Sequence, residues 1–160
     1  MIWQDLMLDR WVEVDALRAA IASAFNIPVD AIAAVDAPEQ LDETSPVALI
    51  VLERVRQHRD FPLQLLIALR DDTLAGKHDG FDGVLRVVRT LAERLNTTVL
   101  FADGPLAPSE WVRVGPTGQT DVVALDVDET GDVDSFFVVG ARAFQDDRQT
   151  SRAEKSRLTA

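Results

Sequence analysis

Hydrophobic and polar positions change period several times along this chain, and each change marks an element. From Asp15, the residues Leu17, Ile21, Ala24 and Phe25 recur at spacings of three and four, the period of an amphipathic helix, with Asp15 placed to cap its start. Asn26-Ile27-Pro28 stops that helix, and Val29 to Val35 reads as a short strand or a further helical turn. The opening Ile2 to Trp11 has no clean period. It is expected as a short strand or a turn of helix, with Trp3 and Trp11 covering the core.

Beyond a polar loop over Pro38 to Thr44, the runs Val47 to Val55 and Leu63 to Leu69 are rich in β-formers and long aliphatics. The polar stretch Arg56 to Asp60 between them predicts a β-hairpin. Ser45-Pro46 also suits a helix start, but five successive apolar residues, Val47 to Val51, fit a strand covered on both faces better. A polar segment with three glycines, Asp71 to Gly83, leads into the clearest helix. Its stripe is Val84, Leu85, Val88, Leu91 and Leu95, its expected N-cap is Asp82, and Arg86, Arg89, Glu93 and Arg94 lie on the opposite face.

Thr98 to Phe101 then reads as a strand. Trp111 to Val114 and Asp121 to Val127 form a second hairpin around Gly115-Pro116-Thr117-Gly118, and Val133 to Phe144 returns to the core as a strand or helix. This order predicts an α+β fold, two or three helices packed on a mainly antiparallel sheet as a single pair of layers. Residues 1–145 are expected to form one domain, and the polar stretch 146–160 a flexible tail.

Composition narrows the setting. The 160 residues include no cysteine, so disulfides, thiolate metal sites and a cysteine nucleophile are excluded, and a reducing, bacterial-type cytoplasm is the expected location. No apolar run reaches the roughly 18 residues of a membrane span, and Met1 to Asp5 lacks a basic leader. With 27 acidic against 16 basic residues the net charge is −11, which repels nucleic acid and anionic lipid and favours encounter with a basic protein.

Three patterns invite chemical readings. The segment Val122 to Thr130, with its Asp126-Val127-Asp128-Glu129-Thr130, resembles the first motif of haloacid-dehalogenase-like phosphatases. That resemblance implies a nucleophilic Asp126 and an acid/base Asp128. It covers nine residues. Only 30 residues follow Thr130, they contain the single lysine Lys155, and Gly131 replaces the usual leucine, so the family's remaining parts have no counterpart here.

The same loop follows the spacing of a calcium-binding loop at Asp126, Asp128, Thr130, Asp132 and Asp134, with Gly131 at the sixth place. Phe137, however, stands where the bidentate glutamate belongs. His78, among Asp71, Asp72, Asp79 and Asp82, could serve a metal or a proton shuttle. The only other histidine is His58, in the predicted turn of the first hairpin.

The expectation that follows is a non-catalytic acidic binding module with no cofactor and no metal. A basic protein partner would be met by Asp121, Asp126, Asp128, Glu129, Asp132 and Asp134, six acids in 14 residues without a base, together with Trp111. An immunity protein or chaperone-like inhibitor of a basic bacterial toxin or effector has this character. The alternatives are a self-associating subunit domain, using Trp111, Phe136 or Phe137, and a calcium-dependent protein using the 126–134 loop.

Overall fold

The computed structural model describes residues 2–36, 40, 45–53, 61–102, 109–128 and 135–144. Its strands are β1 (Ile2–Leu8), β2 (Ile32–Val35), β3 (Val47–Glu53), β4 (Leu63–Leu69), β5 (Val99–Phe101), β6 (Glu110–Val114), β7 (Thr120–Asp128) and β8 (Ser135–Ala143). The helices are α1 (Val14–Phe25), α2 (Asp72–Lys77) and α3 (Gly80–Leu95). One sheet holds all eight strands in the order β2-β3-β4-β1-β5-β6-β7-β8, antiparallel except for the β2–β3 pair. The fold is α+β, with helices on a mainly antiparallel sheet.

Connectivity explains why the helices share a face. β1 runs parallel to β2, and β4 runs parallel to β5, so each pair needs a crossover, supplied by α1 and by α2 with α3. The two crossovers start from antiparallel strands and travel in opposite directions across the sheet. Right-handed connections then deliver both to the same side. There Leu6, Leu8, Leu49, Leu65, Ile67 and Phe101 pack against Leu17, Ile21, Val88 and Leu91, all at most 1% exposed.

Strand β1 is the central element that periodicity left ambiguous. Leu6, Met7 and Leu8 are buried in succession because β1 is paired on both sides and covered on both faces. Its pairing to β4 skips Trp3, since Ile2 faces Ala68 and Gln4 faces Ile67. This bulge turns Trp3 onto the helix side, where its ring meets Phe25 edge-on at 5.3 Å. Trp11, expected over the core, is instead 47% exposed, because the chain has left β1 and not yet entered α1.

Several helix boundaries differ from expectation. Glu13 occupies the N-cap of α1 without a side-chain hydrogen bond, and Asp15 lies in the first turn, where its charge favours the positive helix end. The segment read as a glycine-bearing loop contains α2, whose cap Asp71 accepts hydrogen bonds from the Thr73 and Leu74 amides. α3 starts earlier than expected, with Asp79 as N-cap in place of Asp82. Residues 29–35 resolve into a 3-10 turn, Val29–Ala31, followed by β2, and residues 135–143 are a strand. The expected domain limit at 145, the tail, the turn at 56–60 with the end of the strand before it, and, Gln40 apart, the loop at 38–44 lie outside the described residues.

Candidate functional site

The face of the sheet away from the helices carries its own apolar floor. Met7, Leu100, Val123, Leu125 and Phe61 form a second cluster, joined by the half-buried Trp111 and Val138. Phe61, just before β4, and Val138, on β8, line one open cleft of about 640 Å³. Their strands are five positions apart in the sheet, about 24 Å if it were flat at about 4.8 Å per strand. The sheet is therefore curled on this side.

Charged and polar groups rim that floor. β6 and β7 pair so that Arg113 faces Asp121, and the two side chains meet in a two-pronged ion pair, Nε to Oδ1 at 2.8 Å and an Nη to Oδ2 at 2.5 Å. Asp121's hydrogen bond raises the Arg113 pKa above its already high value, against the opposing pull of partial burial, and the carboxylate charge adds to the rise. Arg113 is thus a fixed cation neutralised in place. Both side chains remain about one-third exposed.

Across the cleft, Asp9 follows the end of β1. Its Oδ1 accepts hydrogen bonds from the Thr97 hydroxyl at 2.6 Å and the Thr98 amide at 3.1 Å, which fix its rotamer at the rim. The β6–β7 turn completes the wall with Gly115 and Gln119. Gly118 adopts φ +85°, a left-handed conformation that glycine takes without strain. The Gln119 amide folds back over Gly115 so closely that any Cβ there would collide with it.

The expected acidic surface divides. Asp121 lies in the cleft, whereas the exposed Asp126 lies on the reverse face of β7, because alternate residues of a strand point to opposite sides. Asp128 ends β7, and Glu129, Asp132 and Asp134 lie outside the described residues. Trp111 stands beside the cleft, cross-strand from Val123. Asp9, Phe61, Thr98, Arg113 and Val138 were not foreseen. None of these had a usable signal in the sequence: counting outward from the 115–118 turn would set Arg113 opposite Thr120, whereas in the structure the turn runs through Gln119 and sets it opposite Asp121.

His78 is not part of this cleft. It ends α2 on the helix side, 9% exposed, with its ring edge-on to Phe25 at 4.8 Å. Its Nδ1 is buried without a hydrogen-bond partner among the described residues. Burial lowers its pKa, and the nearby charges of Arg86 and Lys77 lower it further. Among the described residues, no three of Asp, Glu and His gather as metal ligands.

A pH dependence follows, with a definite sign. The unfolded chain protonates His78 near pH 6.5 while the fold resists protonation, so the unfolded state binds more protons in between. The stabilisation is complete above about 6.5 and declines as pH falls toward the lowered folded value. Urea unfolding between pH 8 and 5 is expected to show this decline, and His78→Phe to flatten it. An unchanged slope in the variant would assign the effect to other groups.

Fold and cleft together define an α+β fold with one helix-covered sheet face and, among the described residues, one open, curled face rimmed by charge. Among known proteins, no family model, no curated protein and no solved structure matches the chain. None of the described helices is long and apolar enough to cross a membrane.

Proposed function

We propose that the chain is a non-catalytic binding module whose sheet face opposite the described helices receives a basic protein, as an immunity protein or chaperone-like inhibitor of a cationic toxin or effector would in a bacterial cytoplasm. The observation that carries this reading is the open cleft of about 640 Å³ rimmed by Asp9 and Asp121. Among the described residues that line it, the one cation, Arg113, is cancelled by Asp121, so that Asp9 leaves this part of the rim net negative. Aliphatic and aromatic groups at Phe61 and Val138 suit the methylene stem of an incoming lysine or arginine, whose charged head would reach the carboxylates. The net charge of −11 would steer such a partner inward. The side chains at the rim hold one another by hydrogen bonds, an arrangement suited to preorganised binding.

The test is capture from the source cells at low salt, release at high salt, and titration of the purified released protein against variants. Asp9→Asn is expected to weaken binding about tenfold or more, a loss of about 1.4 kcal/mol or greater. Asp121→Asn should weaken it further, because it also leaves the Arg113 charge facing the partner. Affinity should fall steeply with ionic strength. Absence of any salt-released basic protein, or equal affinity for Asp9→Asn and the parent, would reject the reading.

A further inference from the structure

The two edges of the sheet are built differently. β2 has four residues and follows a 3-10 turn, and the Arg18 guanidinium donates to the carbonyl of Ile32 at its start and to that of Val29 in the turn. Shortness and a cation covering carbonyls are both ways of blunting an edge. β8 has neither. It has nine residues, against about five or six in a usual strand, and contains no proline or lysine. Its one charged residue, Arg142, reaches back over β7 to Glu110 at 3.0 and 3.3 Å. Val139 is 59% exposed, and Gly140 and Ala141 are exposed small residues that would let another strand approach closely. By composition this is an edge ready to pair with a second chain.

Its register supplies what its composition lacks. Ala124 faces Gly140 while Leu125 faces Val138, so Val139 is an extra residue without a partner in β7. On the inner side this bulge keeps Val138 in the cleft although Phe144, six residues on, stacks on Phe81 at the helix face. A bulge bends its strand and interrupts the regular line of N–H and C=O groups along it, and this one falls between residues 135–138 and 140–143 of β8. We infer that the Val139 bulge is the guard that keeps β8 from pairing edge-to-edge with a second copy of this chain. The inference is independent of what the cleft binds.

Sedimentation velocity with the full chain tests it. The parent is expected to stay monomeric at hundreds of micromolar in 1 M salt, where the Debye length is about 3 Å and charge repulsion no longer separates the molecules. Deleting Val139 should produce a concentration-dependent dimer or larger species, and adding Ala141→Lys to the deletion should return it to monomer. A folded, monomeric deletion variant under the same salt would overturn the inference. Should the deletion fail to fold, hydrogen exchange on the parent decides. Rapid exchange of the outward amides of β8 supports the guard. A parent dimer with those amides protected overturns it.

Discussion

Replacing Phe101 by alanine should cost about 3–5 kcal/mol, or on the order of 10 °C in melting temperature for a chain of this length. Phe101 is 1% exposed on β5, between Leu6 of β1 and Val112 of β6. Its ring lies 5.8 Å from Phe81 of α3, and Phe81 in turn stacks on Phe144 at 5.3 Å and 9°. Truncation leaves a cavity under the start of α3 and removes support from the end of β8. Because the neighbours are strands paired on both sides, they cannot close in to fill the space. Chemical denaturation measures the loss, and amide exchange at the C-terminal end of β8 should rise with it. A cost below about 1 kcal/mol would mean that the helix layer does not rest on Phe101.

Two glycines in neighbouring helices should respond to alanine with opposite signs. In an exposed helix interior, the change from glycine to alanine stabilises by up to about 1 kcal/mol. Gly76 in α2 has nothing within 4 Å of where a Cβ would stand, so Gly76→Ala should show that gain. Gly83 in α3 is different: a Cβ would lie 2.6 Å from both the carbonyl carbon and oxygen of His78. Backbone atoms cannot rotate away as a side chain can, so the helix must shift or the α2–α3 junction must open. Gly83→Ala should therefore lose about 1–3 kcal/mol net. It should also disturb the His78 contact with Phe25 and weaken the pH dependence described above. Equal stabilisation of both variants would show that α2 and α3 are not in close contact at His78.

Elements with an uninterrupted local period were legible from the residues alone. The stripe of α3 and the hairpins of β3 with β4 and β6 with β7 stand where the pattern predicts them. The five apolar residues from Val47 to Val51 are all buried, as a strand covered on both faces requires. Errors came where two local signals competed. Asp79 and Asp82 are both acceptable caps, and the choice of Asp79 goes with Gly80, whose φ of +73° suits the turn between α2 and α3. Likewise Trp3 breaks the alternation of β1 because it is a bulge, which no single-strand pattern reveals.

The cleft was much less legible than the fold. Charge drew attention to the 121–134 segment, yet Asp121 and Asp126 point to opposite faces of β7, while Asp9, far away in sequence, joins Asp121 at one rim. Asp121 and Arg113 are eight residues apart across a turn that runs through Gln119, one residue longer than the 115–118 turn read from the sequence, and that extra residue sets them opposite each other. Asp9, Phe61 and Val138 meet them only through the strand order and the curl of the sheet.

By itself the sequence determined the elements with an unbroken local period, the α+β class, the acidic charge and the absence of cysteine chemistry, because these depend on residue types and on spacings of a few positions. Tertiary structure decided that β1 is central, that β2 lies parallel at one edge, that the helices share one face, and that the other is an open cleft. Those outcomes depend on pairings between strands distant in sequence and on the handedness of their connections. A strand's period records that its faces are buried, and only its neighbours determine what covers them.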